Sequence, residues 1–168
     1  MIISIIYLVI SLVLEVIMSN FFTSILNDVS LFSTIYTIIG LSILYPHFNN
    51  DKKYYILVGI CGIIFDIVYT STFMFNFILF VIIGIIIKIL YNIFPENIFM
   101  TNLISFIVIV VYHLLCFIIL SLFSGISYNF SALINIILGS IIMTIIYSTI
   151  SYYIIRYIFN RKGIKFIK

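Results

Sequence analysis

Apolar residues fill six long runs of the chain, at about 2–19, 30–46, 54–71, 73–92, 98–123 and 131–158. Most are close to the ~20 residues with which an α-helix, rising ~1.5 Å per residue, crosses ~30 Å of hydrocarbon. The second run is short, at 17 residues, and the last is long enough to tilt or to continue past the membrane. Turn-forming and polar residues separate the runs: Ser19-Asn20 with Asn27-Asp28, the stretch Pro46 through Lys53, Thr70-Ser71-Thr72, Pro95-Glu96-Asn97, and Ser124-Gly125 through Asn129. The weakest break is 70–72, where the third and fourth helices meet in a tight turn. The stretch at about 20–28 is expected to lie along the outer interface as a short amphipathic helix. This pattern predicts an all-α fold: one polytopic transmembrane domain spanning 1–168, a bundle of about six helices.

Composition strengthens that reading. Hydrophobic residues make up 65% of the chain and charged residues 8%, too few polar groups to cover a water-soluble surface. No Pro-, Gly- or Ser-rich linker divides the 168 residues. The first 18 residues have no basic stretch ahead of the apolar run and no small-x-small cleavage pattern after it, so they read as a retained first helix.

Charge sets the expected orientation. With the N-terminus inside, the inner side receives Lys52, Lys53, Lys88, Arg156, Arg161, Lys162, Lys165 and Lys168, and the outer loops receive no basic residue. Both termini are therefore expected on the cytoplasmic side, with the basic tail against anionic headgroups. A net charge of +3 dispersed in this way forms no stripe for a nucleic-acid backbone.

Ionisable groups inside a membrane span are costly unless they are paired or face a polar interior. Glu15 near the outer end of helix one, Asp66 in helix three and His113 in helix five are the three candidates. Gly59, Gly62, Asp66 and Tyr69 share one face of helix three, where two glycines allow close approach of another helix. Asp66 is then expected at a buried helix contact, protonated or bonded to Tyr or Ser hydroxyls. Glu15 shares an inward stripe with Ser4, Ser11 and Ser19. Helix packing is the leading role for these groups, ahead of a ligand or proton site. His113, with Tyr112 and Cys116, falls short of the three protein ligands a metal site requires. His47 is expected in a cytoplasmic loop, and Lys88, on a face with Asn76, Phe80 and Gly84, is expected to snorkel to inner headgroups. Two small or polar series on helix six, Ser131-Asn135-Gly139 and Ser140-Thr144-Ser148, are expected to pack helices together. Cys61 and Cys116 are read as free thiols at different depths.

His-Glu-x-x-His, Gly-x-Ser-x-Gly, a phosphate-binding glycine loop and CxxC are all missing, which argues against an enzyme and against a bound cofactor.

The stretch from Ile56 through Ser71, with Gly59, Gly62 and Asp66 ahead of Tyr69-Thr70-Ser71, resembles the signature of the rod shape-determining MreD family. Phe75, Phe77 and Gly84 in the next helix and Glu15 late in the first are similar to positions in that family, although some of its loop charges are missing here. The resemblance implies a non-enzymatic protein of the bacterial cell membrane that supports rod shape and lateral peptidoglycan synthesis. Its implied partner is the single-span protein MreC, with MreB filaments linked indirectly. It also implies an architecture related to the vitamin-binding S components of energy-coupling-factor transporters, which form the alternative reading. S components dock through a small-residue, typically alanine face on helix one, whereas the one alanine here is Ala132, in helix six.

Overall fold

A computed structural model of the protein describes residues 2–26, 34–69, 74–123 and 130–161. The described residues form six α-helices: α1 (Ile2–Leu26), α2 (Tyr36–Leu44), α3 (Asp51–Tyr69), α4 (Phe75–Ile93), α5 (Ile98–Phe123) and α6 (Phe130–Arg161). A 3-10 turn, Tyr45–His47, follows α2, with Pro46 in its first turn, where a missing N–H costs least. Four helices are long and apolar enough to cross a membrane, over Ile2–Ser19, Phe75–Ile93, Ile98–Leu122 and Leu133–Arg161.

Helix boundaries depart from the apolar runs at two places. The first helix continues through Leu26, so the segment expected as a separate interfacial helix is largely an extension of α1. The second helix is nine residues long, about 13 Å at ~1.5 Å per residue, less than half the thickness of a hydrocarbon core. The turns at 70–72 and 124–129, the Asn27-Asp28 pair, positions 30–33 and the basic tail at Lys162, Lys165 and Lys168 lie outside the described residues.

The pairs α1–α2 and α3–α4 run antiparallel. Glu15 midway along α1 meets Thr37 at the start of α2, with Ser11 and Tyr7 further back facing Gly40. Asp66 late in α3 meets Asn76 at the start of α4, and Lys88 late in α4 returns to Asp51 at the start of α3. The short α2 sits centrally, packed on α1, α4, α5 and α6, and all nine of its residues are buried. Around it the core gathers Ile38, Ile39, Leu41 and Leu44 with Tyr54, Val58, Phe80, Ile83, Ile104 and Ile109.

The sidedness of α1 is the reverse of a helix in water. Ile5, Ile6, Val9, Ile10, Val13 and Ile17 are exposed, while Ser4, Ser11 and Glu15 are buried. Apolar side chains on the outside are disfavoured in water by ~25 cal/mol for each Å² left exposed and carry no such penalty against lipid.

Candidate functional site

Two buried carboxylates of this bundle, Glu15 and Asp66, are each held by the first turn of a neighbouring helix. The first four N–H groups of any helix lack intrahelical partners, and in hydrocarbon no water can supply one. Helix α4 is preceded by Met74, whose backbone is left-handed (φ 61°) and whose side chain makes no capping bond. Asp66 fills that role from α3. Its Oδ1 accepts the backbone N–H of Asn76 at 2.8 Å and the Asn76 side-chain amide at 3.0 Å, and its Oδ2 accepts the backbone N–H of Phe77 at 3.1 Å. These N–H groups, at the second and third helical positions, are the ones a capping Ser or Asp would bind. The partial positive charge of the helix N-terminus adds to the attraction.

Glu15 repeats the device. Helix α2 follows Ile35, which has no capping side chain, and Glu15 Oε2 accepts both the Thr37 backbone N–H at 3.2 Å and the Thr37 hydroxyl at 2.7 Å. Glu15 and Asp66 are 6% and 7% exposed, so these bonds replace hydration.

Close approach makes the α3–α4 cap possible. A Cβ on Gly62 would lie 2.7 Å from the Phe77 Cα and 3.1 Å from the Asn76 carbonyl oxygen, and one on Gly59 would meet the Phe77 ring at 3.1 Å. The glycine face of α3 is thus filled from within the chain by the start of α4. Tyr69 closes α3, with its side chain outside the described residues.

A second layer of hydrogen bonds ties the cap to the next helix. The Tyr112 hydroxyl of α5 donates to Asn76 Oδ1 at 2.7 Å, so Tyr112, Asn76 and Asp66 join α5, α4 and α3. Tyr112 lies within electrostatic reach of both Asp66 and Glu15. His113 turns its ring against that of Tyr112, with centroids 5.7 Å apart. Among the described residues no three His, Cys, Asp or Glu side chains are grouped to hold a metal. Cys61 is buried in α3, Cys116 is half-buried in α5, and both are free thiols.

Polar contacts continue through the interior. Ser11 pairs with Tyr147 at 2.8 Å and Ser42 with Ser105 at 2.9 Å. Asn102 of α5 binds Thr149 and Ser148 of α6. On α6 the series Ser140, Thr144 and Ser148 is fully buried, with the Ser140 carbonyl accepting from Thr34 and Thr144. The other series behaves differently, with Ser131 and Asn135 exposed.

The opposite end of the bundle carries Lys52, Lys53, Lys88, Arg156 and Arg161. Lys88 Nζ lies 2.6 Å from Asp51 Oδ2, a partly exposed ion pair that ties the end of α4 to the start of α3. His47, expected in an unremarkable loop, is instead packed on Phe159, with ring centroids 4.3 Å apart. Burial lowers its pKa from 6.5 to about 4. Glu96, between α4 and α5, has its pKa raised from 4.5 to about 7 by burial, against the opposing pull of Arg156.

Thr37 is the site residue that spacing did not single out, while Asn76 and Tyr112 entered only as neighbours of Lys88 and His113 and not as partners of Asp66. The available signal was a side-chain amide at the second position of an otherwise apolar helix, ten residues after a membrane Asp. Comparison with known proteins returns no significant match to a family model, a curated protein or a solved structure.

Proposed function

We propose that this chain is a multi-pass scaffold of the bacterial cell membrane, of the MreD type. In this role it binds a single-span MreC-like protein and supports lateral wall synthesis without catalysing a reaction. The observation that carries the proposal is the state of Asp66. This is the acidic residue of the stretch that resembles the family signature, and its carboxylate is committed to three N–H donors at the start of α4. A general acid or base needs its carboxyl within hydrogen-bond reach of a substrate proton. Asp66 and Glu15 instead act as fixed anchors for helix ends, which favours assembly over chemistry. Exposed apolar faces around a polar interior support the membrane placement. The basic residues gathered at one end support cytoplasmic termini. On this reading the glycine-lined face of α3 shapes the bundle and does not itself receive the partner helix, since Phe77 fills it.

The test is affinity purification of the tagged full chain from mild-detergent extracts of its native membranes. The scaffold reading expects a single-span protein with a large extracytoplasmic domain to co-purify, and cells depleted of the chain to lose rod shape. Normal shape on depletion, together with marked thermal stabilisation of the purified chain by a vitamin, would replace it with the transporter S-component reading.

A further inference from the structure

Helix α1 packs on α2 and helix α3 packs on α4, and between α1 and α3 a groove of about 170 Å³ opens toward the surroundings. Leu8, Leu57 and Cys61 form its buried floor, and exposed Val9, Ile56 and Ile60 stand along its walls. One residue breaks the apolar lining: Lys53, in the first turn of α3. At that end of the bundle the nearby carboxylate, Asp51, is paired with Lys88, and among the described residues Lys53 forms no ion pair.

We propose that this groove holds one acyl chain of an anionic phospholipid of the cytoplasmic leaflet, with the lipid phosphate on Lys53. Lining and charge together select the occupant. The groove is apolar along its floor and walls, which suits a flexible hydrocarbon chain, and its one charged group stands at one end. An acyl chain running along the floor from Leu12 toward Leu8 brings its headgroup to the end where Lys53 and Lys52 stand. A basic residue beside an apolar intramembrane cleft on the cytoplasmic side favours an anionic headgroup over a zwitterionic one. The inference rests on the membrane placement proposed above and is independent of the scaffold role.

The test uses the purified, delipidated full chain in mild detergent, with thermal unfolding followed as dioleoylphosphatidylglycerol or dioleoylphosphatidylcholine is added. Phosphatidylglycerol is expected to half-saturate at a concentration roughly fivefold or more below phosphatidylcholine, the scale of one Lys near a charged surface. Lys53→Gln should abolish that preference, and Ile60→Trp, which fills the groove, should weaken both lipids. Arg161→Glu, away from the groove, should leave the preference intact. Equal action of the two lipids on the wild-type chain, or an unchanged preference in Lys53→Gln, overturns the proposal. Should Ile60→Trp fail to fold, Lys53→Gln alone decides. An alkaline carbonate wash of the source membranes separates the two ways of failing. Release of the chain removes the membrane placement and the lipid site together, whereas retention with no lipid preference removes the site alone.

Discussion

Met74 and Asp66 are best understood as two halves of one helix start. A left-handed backbone costs a non-glycine residue roughly 1–2 kcal/mol, and Met74 has no side-chain oxygen with which to cap α4. The carboxylate of Asp66 supplies what Met74 cannot. For this to work the α4 backbone must come within van der Waals distance of α3, and Gly62 sets that distance. Gly62→Ala places a Cβ 2.7 Å from the Phe77 Cα, a backbone atom that cannot rotate away. It should destabilise the chain by about 1–3 kcal/mol, the usual scale of overpacking. Gly84→Ala is the control, since its Cβ would meet the Val58 side chain at 3.2 Å, which can give by a few tenths of an ångström. Thermal unfolding of the two variants in one detergent should rank Gly62→Ala clearly below Gly84→Ala. The glycine-and-acid face of α3 was legible because i, i+3 and i+7 spacing is a local property of one helix. That the face meets α4, and that Asp66 bonds backbone N–H groups where Tyr or Ser hydroxyls were expected, depends on contacts between helices that no spacing encodes.

Helices α2 and α4 both start without a side-chain cap of their own and both receive a carboxylate from the helix before them. The pairs α1–α2 and α3–α4 are therefore built alike, although α2 is nine residues long and α4 nineteen. The shortness of α2 was hidden because the apolar run at 30–46 reflects burial among four helices as much as contact with lipid. The Lys88–Asp51 pair was hidden for a related reason: Asp51 lies on the preceding helix, and spacing along one helix does not bring the two together.

At the basic end two groups make opposite contributions to stability with pH. His47 has a folded pKa of about 4 against 6.5 when unfolded, so between those values the unfolded chain binds more protons and stability rises with pH. Glu96 has a folded pKa of about 7 against 4.5, so between those values the folded chain binds more protons and stability falls as pH rises. Unfolding measured from pH 4 to pH 8 should show Glu96→Gln gaining stability with pH more steeply than the wild type. His47→Gln should show the reverse slope. Parallel profiles for all three proteins would mean that neither group keeps its burial.

Across the described residues, serines, threonines and two carboxylates lie buried among apolar core residues, while the exposed large side chains are mostly isoleucine. Such a chain is sequenced almost as a uniform apolar string, so its membrane character was plain while the pairing of its helices was not. The polar groups that decide the pairing are few and lie far apart along the chain: Glu15 with Thr37, Asp66 with Asn76, Asn76 with Tyr112. The starts of α2 and α4, which have no side-chain cap of their own, are each closed by a carboxylate from a neighbouring helix. The most direct test of that account is hydrogen–deuterium exchange at the start of α4, comparing the wild-type chain with Asp66→Ala in lipid nanodiscs. Loss of the carboxylate leaves the Asn76 and Phe77 N–H groups without their acceptor, at about 1–3 kcal/mol for each orphaned donor. The account predicts at least tenfold faster exchange in a peptide covering 75–80, with the α5–α6 contact around Asn102 unaffected. Equal protection of that peptide in both proteins would contradict it.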